Sequence, residues 1–338
     1  MRTAKPSQLF LNFSANECKG SSRLYEILSK EMAQDEELLV LSLKAKTGQP
    51  LPNLFFGAVH YLLLKGADHR LYDIYQNPVD EGIWFPMFKE FCLAHKKEIA
   101  LLLETKLVQT NEVRRCAYLF PVFQYIYEWT NKPLALLEIG TSAGLQLLWD
   151  QYAYSYGTGE VYGNTSSDLR IQSEWIGGKE PSLKKHVPPV SVRMGFDLNI
   201  VDLKDQEEYL WMKALIWPEH KERLAMFERA ASLAGSQPVQ FFEGDGTALV
   251  ASAAEAVPND SVLCVFHTHV ANQMPDEAIE RLLSSIQEIG RRRDVFHLYN
   301  NIEDRFLHLD YWLDGKEYTQ TIAETDGHGR WFKWLLEK

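Results

Sequence analysis

Two hydropathic rhythms divide the chain. From Ser7 to about Trp129 apolar residues recur at helical spacing: Leu24, Ile27 and Leu28 follow Ser21-Ser22, and Leu54-Phe55, Val59 and Leu62-Leu63 follow Pro52-Asn53. Serine ahead of such a period accepts an orphan N–H, and proline in a first turn has no N–H to leave unpaired, so both mark helix starts. Further helices are expected around Phe85 to Leu103 and from Thr110 toward Trp129, where Pro121 should kink or split the last one. No strand alternation interrupts this stretch.

After the turn Asn131-Lys132-Pro133 the rhythm changes to strands alternating with helices, which predicts a mainly parallel sheet covered on both faces. The expected strands are Leu134 to Ile139, Val190 to Phe196, Val239 to Phe242, Ser261 to Phe266, Asp294 to Tyr299, Phe306 to Leu313 and Tyr318 to Glu324, the last two joined by a hairpin turn at Asp314-Gly315. Helices are expected from Ala143 to about Gln151, Gln206 to Ile216, Pro218 to Ala234, Thr247 to Ala256, and from Pro275 onward with Ile279, Leu282, Leu283, Ile286 and Ile289 on one stripe. Tyr152 to Pro189, rich in Gly, Ser and Tyr, falls out of step and reads as a β-hairpin insertion turning near Asn164-Thr165-Ser166. The predicted domains are therefore 1–130, an all-helical cap, and 131–338, an α/β domain with an insertion at about 152–189.

The most informative stretch is Leu134 to Leu148. An apolar strand ends in Glu138, and the hinge Gly140-Thr141-Ser142-Ala143-Gly144 leads into a helix, the usual way to hold a nucleotide-sized ligand at the edge of a parallel sheet. The loop lacks the Gly-x-Gly-x-x-Gly pattern of dinucleotide sites, and the next strand-end acid, Asp197, comes only after the long insertion. It also lacks the Lys-Ser/Thr of a phosphate loop, because Leu145-Gln146 follows Gly144. S-adenosylmethionine is thereby favoured over NAD or ATP, and the expected fold is a seven-stranded, Rossmann-like sheet of the class I methyltransferase type.

In such sheets ligands bind outside the carboxyl ends of the strands. There the sequence places Glu138, Asp197, Asp245-Gly246, His267, His269, Asn272, Asn300 and Asn301. The expected cofactor-binding set is Glu138, Gly140, Thr141, Ser142, Gly144, Asp197, Asp245 and Gly246, with Asp197 accepting ribose hydroxyls and Asp245 the adenine amine. The competing account of each acid is a turn or helix cap, since Asp-Leu-Asn and Gly-Asp-Gly-Thr are ordinary turn and cap sequences. His267 and His269, two apart on an extended segment, share a face and are the candidate catalytic bases. That spacing can also bind a metal, but no carboxylate or Cys stands at ligand spacing, so no metal is expected. Asn111, Glu112 and Arg114, at a helix start just upstream of the sheet, are candidate substrate contacts on a lid, or else a solvated cap.

Composition narrows the partners. A formal charge of -11 weighs against phosphate neutralisation, so nucleic acid is a poor substrate; Arg291-Arg292-Arg293 offsets the end of a helix dipole. Cys18, Cys92, Cys116 and Cys264 are scattered with no Cys-x-x-Cys pair, which fits a reducing cytoplasm. Leu9-Phe10-Leu11 is too short for a signal core, and Ser261 to Pro275 too short and polar to span a bilayer, so no membrane partner is expected. A small-molecule substrate remains.

Gln109-Thr110-Asn111-Glu112, Leu137 to Leu145, Asp150-Gln151-Tyr152, Gly195 to Asn199, Leu215-Ile216-Trp217-Pro218 and Val265 to Val270 are similar to motifs of the bacterial domain-of-unknown-function 2332 family. The resemblance spans nearly the whole chain, and its glycine loop resembles that of class I methyltransferases. It implies the architecture and no reaction, substrate or catalytic residue. Where many amino-methylating enzymes carry Asn/Asp-Pro-Pro-Tyr, this chain has Phe266 to Asn272, which disfavours base or glutamine N-methylation. The leading expectation is an S-adenosylmethionine-dependent methyltransferase; the others are a non-catalytic nucleoside- or S-adenosylmethionine-binding sensor and, more weakly, a metal-assisted hydrolase.

Overall fold

The computed structural model describes residues 5–336. The chain divides into two compact units, Met1–Thr110 with Leu203–Ala225, and Asn111–Asp202 with Met226–Lys338. The first unit contains α1 (Pro6–Phe13), α2 (Arg23–Met32), α3 (Glu36–Ser42), α4 (Leu51–Leu64), α5 (Leu71–Gln76), α6 (Glu81–Ala94) and α7 (Lys96–Thr105). Ser22 caps α2 by accepting the Tyr25 N–H at 3.1 Å, as its sequence position predicts. The core of this unit is aromatic: Tyr25 stacks on Phe56 with ring centres 4.4 Å apart, and Phe10 meets Phe55 and Phe56 edge-on.

The second unit opens with α8 (Cys116–Thr130), which runs through Pro121 without a break. Proline at this position cannot bond the carbonyl four residues earlier, that of Ala117; the Tyr156 hydroxyl donates to that oxygen instead, at 2.8 Å. The expected split at Pro121 is thus averted by a side chain from the segment after β1. Of the later helices, α9 (Gln206–Ala214) belongs to the first unit, while α10 (Lys221–Leu233) has residues on both sides of the division.

Twelve strands follow in the second unit: β1 (Leu134–Ile139), β2 (Ala153–Ser155), β3 (Val161–Gly163), β4 (Arg170–Gln172), β5 (Glu174–Gly178), β6 (Val190–Asp197), β7 (Gln240–Glu243), β8 (Val262–His267), β9 (Val295–Tyr299), β10 (Leu307–Leu313), β11 (Lys316–Thr325) and β12 (Trp331–Trp334). Between them lie α11 (Gly246–Glu255) and α12 (Asp276–Gly290). The main sheet has nine strands, not seven, in the order β5-β12-β11-β10-β9-β8-β1-β6-β7. The five strands from β7 to β9 pair parallel, as does β12 with β5, and the pairings from β9 through β12 are antiparallel. The protein is thus α/β, with an N-terminal helical region and a mixed, mostly parallel sheet.

The two strands missing from the sequence reading are β5 and β12. The 152–189 region also differs in detail. Asn164-Thr165-Ser166 joins β3 to β4, which lie on opposite sides of β2 in a separate three-stranded sheet; the hairpin is β2 with β3. The expected hairpin at Asp314-Gly315 is present, with φ of 50° and 71° at its two residues, the left-handed pair that a tight hairpin requires.

One face of the sheet carries Ala135, Leu137 and Ile139 of β1, Leu263 and Val265 of β8 and Val295 of β9, sealed by Val250 and Ala254 of α11 and Leu282 and Ile286 of α12. The other packs on α8, where Phe123 meets Phe266 edge-on with ring centres 5.5 Å apart. Among the described residues no helix is long and apolar enough to cross a membrane.

Candidate functional site

From β1 the chain goes to β6 and β7 on one side, then returns to β8 and β9 on the other. Strand order therefore reverses between β1 and β8, the place where doubly wound sheets open a crevice at their carboxyl ends. The loop after β1 lies there. Gly140 and Gly144 have φ of 74° and 73°, and Ser142 has φ of 51°. A Cβ on Gly140 would lie 2.4 Å from Val270 Cγ2, and one on Gly144 would lie 2.8 Å from the Phe241 ring. Both glycines thus admit protein side chains as well as a left-handed backbone. Gly246 similarly admits Phe196 and Ile139. Thr141 and Ser142 are buried, and a 3-10 turn, Leu145–Gln151, replaces the expected α-helix.

The strand-end acids have distinct partners. Asp197 Oδ2 accepts the Ser142 N–H at 2.8 Å and Oδ1 accepts the Asn199 N–H at 3.1 Å, so this carboxylate ties β6 to the glycine loop. Burial raises its pKa. Asp245 caps α11 through the Thr247 N–H at 2.9 Å and pairs with Arg281. Although burial pushes its pKa up, Thr247 and Arg281 outweigh that and leave it lowered. Glu138 lies on the face of the sheet that carries Phe266, where Thr141 Oγ1 donates to it at 2.6 Å. Burial pushes its carboxyl up to about 8, against the Thr141 hydrogen bond and the charge of Arg115.

A second set of polar groups gathers beside this loop. Asn111 Oδ1 accepts the Leu145 N–H at 2.9 Å, supplying the cap that the turn's own preceding residue, Gly144, cannot. Gln146 bridges the Glu112 carbonyl and the Thr268 hydroxyl, at 3.4 and 3.0 Å. Arg115 donates to the Thr268 carbonyl at 3.2 Å and to the Gly327 carbonyl at 3.0 Å. Glu112 Oε1 accepts the Arg114 N–H at 3.4 Å, and its Oε2 stands 3.4 Å from His328 Nδ1. The structure thus brings Asn111 and Glu112, both buried, into contact with the loop after β1, while the backbone of Arg114, also buried, packs against Gly329.

His267 and His269 take different surroundings. β8 ends at His267, and His269 is left-handed with φ of 57°, so the shared face expected of an extended segment does not form. His267 Nε2 lies 3.2 Å from His297 Nε2, which fixes one proton between the two rings. The Nδ1 atoms of both rings are buried without a hydrogen-bond partner. Burial pushes His267 down to about 4 and His297 well below its ordinary value. His269 donates its N–H to Asn300 Oδ1 at 2.8 Å, and its Nδ1 lies 3.3 Å from Asn301 Nδ2. Burial, with help from Arg115 and His328, pushes His269 down to about 3. Asn272 is exposed, in the turn Ala271–Gln273.

Ser142, His269 and Asn301 (φ of 62°) are left-handed residues other than glycine at the carboxyl ends of three neighbouring strands, β1, β8 and β9. Such backbone costs about 1–3 kcal/mol per residue and concentrates at functional sites. Around them His269 Nε2, Asn300 Nδ2 and Ser142 Oγ are buried without hydrogen-bond partners. Arg115, Gln146, Thr268, His297 and His328 belong to this neighbourhood and were not among the expected site residues. The sequence signals for them were the doubled Arg114-Arg115 and a His held between two glycines at Gly327-His328-Gly329. Among the described residues no group of three or more His, Cys, Asp or Glu is placed to hold a metal ion.

No curated protein and no solved structure matches the chain. The family described as an uncharacterized protein conserved in bacteria, DUF2332, matches residues 7–334. Because that match takes in both the helical region and the whole sheet with its strand-end residues, the chain belongs to the DUF2332 family.

Proposed function

We propose that the chain is an S-adenosylmethionine-dependent methyltransferase acting on a small molecule at the carboxyl ends of β1, β6, β7 and β8. The observation that carries this reading is the reversal of strand order beside a left-handed glycine loop, with acids closing β6 and following β7. The residues fit the nucleoside end of the cofactor: Asp197 would take the ribose hydroxyls and Asp245, about two-fifths exposed, the adenine amine. The loop from Gly140 to Gly144 would hold the methionine end once Val270 and Phe241 turn away from the two glycines. Phe241 is itself well exposed, so its ring has room to turn. When bound, the cofactor supplies an electrophilic methyl group. The chain's contribution is to align a nucleophile with it and exclude water, and alignment lowers the barrier more.

One observation favours a second reading. Val270 and Phe241 close-pack the glycines, an arrangement that also suits a protein binding only a nucleoside and transferring nothing. Calorimetric titration with S-adenosylmethionine, S-adenosylhomocysteine and adenosine separates the two. The methyltransferase reading expects both sulfur compounds to bind and each to lose at least tenfold in affinity in Asp197→Ala and Asp245→Ala. Adenosine binding as tightly as either would leave the sensor, and no binding at millimolar concentration would remove both.

A further inference from the structure

We propose that Glu112 and His328 form an acid–base dyad in which His328 Nε2 takes the proton from a substrate hydroxyl or amine. Three anchors fix the turn that carries His328. Asp326 accepts the His328 and Arg330 N–H groups, each at 3.1 Å, and pairs with the Arg330 guanidinium. Arg115 Nε donates to the Gly327 carbonyl. Gly329 (φ of 72°) packs so closely on the 114–115 backbone that a Cβ would lie 2.6 Å from the Arg114 carbonyl oxygen. A surface loop needs none of this.

The pairing places a carboxylate at Nδ1. Glu112 is a buried acid whose Oε1 is committed to the Arg114 N–H, which directs Oε2 to the imidazole. A carboxylate there holds the proton on Nδ1 and leaves Nε2 with the lone pair, the arrangement of histidine bases in hydrolytic triads. His328 is about half exposed, whereas burial holds His267 and His269 at about 4 and 3 and makes them weak acceptors at neutral pH. In the step itself the O–H or N–H bond of the substrate breaks and its electron pair stays on the substrate atom. The proton joins the Nε2 lone pair, and the resulting imidazolium is held by Glu112. The charged or titratable groups around the dyad include Arg115, Cys116, Tyr118, His269, Asp326 and Arg330.

The inference deepens the methyltransferase reading by naming the proton acceptor, and it rests on that reading only for the substrate's chemistry. Diethyl pyrocarbonate, which acylates unprotonated imidazole nitrogen, tests it on the full chain, with sites and rates read by mass spectrometry between pH 5.5 and 8. The expectation is that His328 reacts at least threefold faster than exposed His186, and that Glu112→Gln slows it at least threefold at pH 8. Glu112→Asp should restore part of the rate. A His328 that reacts no faster than His186, or whose profile ignores Glu112→Gln in a variant with unchanged circular dichroism, overturns the dyad. If His328 is fast and Glu112-dependent but S-adenosylhomocysteine does not bind, the dyad stands and the methyltransferase reading falls. If the ligand binds and His328 is slow, the reverse holds.

Discussion

Along one face of the sheet the two ends of the same strands are equally buried and chemically opposite. Toward the amino ends lie Leu263 and Val295; toward the carboxyl ends of the same two strands lie His267 and Tyr299, with His297 opposite Val265 between them, all within 4% of complete burial. Apolar side chains at that depth stabilise the fold by about 1.5–3 kcal/mol each. Buried imidazoles and carboxyls cost free energy unless every polar atom is paired, and here several are not. Depth alone therefore does not separate core from site. What separates them is whether the buried groups contribute to stability or oppose it.

The comparison breaks if the two ends respond alike to substitution. The largest effect is expected at the apolar end: Leu137→Ala should lower unfolding free energy by about 2–5 kcal/mol, read from urea midpoints. A loss below about 1 kcal/mol would mean that this face is not close-packed.

At the polar end the prediction is non-additivity. His297→Leu leaves His267 Nε2 without its partner and should cost about 1–3 kcal/mol at pH 7, whereas His267→Leu with His297→Leu should cost less than the single change. The double variant should also lose part of the acid sensitivity. Because the folded-state values lie below the ordinary 6.5, the unfolded chain binds the extra protons. Stability is then complete above pH 6.5 and declines toward pH 4. The shares from His60, held near 4 by burial, and from His269 remain. Costs that simply add would show that the two rings act independently.

Glu138 should give the smallest effect and the opposite sign. With its carboxyl raised to about 8, the folded chain keeps a proton that the unfolded chain releases above about 4.5, so stability falls as pH rises through that window. Glu138→Gln should flatten the slope between pH 7 and 8, by no more than about 1.4 kcal/mol. Denaturant midpoints at pH 7 and 8 read it directly, and an unchanged slope would place Glu138 in contact with solvent.

The strands legible in the sequence are those whose neighbours are helices or tight turns. β1, β6, β8, β9 and β10 are apolar runs bounded by polar residues, and their borders fall within a residue or two of expectation. β5, Glu-Trp-Ile-Gly-Gly, and β12, Trp-Phe-Lys-Trp, are short and lack a clean alternation, and β5 joins the main sheet only through β12, some 150 residues on, so no local pattern marks them. The turn after Gly144 was misread for a related reason: all of Leu145 to Trp149 is buried, and uniform burial erases the periodicity that distinguishes helix types.

The strand-end residues were legible by position, since the parallel sheet dictates where to look. Their partners were not. That Asp197 holds the Ser142 N–H, or that Arg115 joins Thr268 to Gly327, depends on loops brought together from five parts of the chain. Histidine spacing misled because one left-handed residue, His269, cancels the two-residue rule of an extended strand.

The parallel pairing of β12 with β5 also orders events during synthesis. β5 is made early, yet its partner emerges only when residues 331–334 do, and β12 must then enter between β5 and β11. Such distant pairing is slow and leaves an open strand edge while it waits. The turn holding His328 leads directly into β12, so the corner built on Arg115 is finished in the same closing movement. A nascent chain stalled before residue 331 would possess the glycine loop and most of the sheet, and would still lack a fixed histidine.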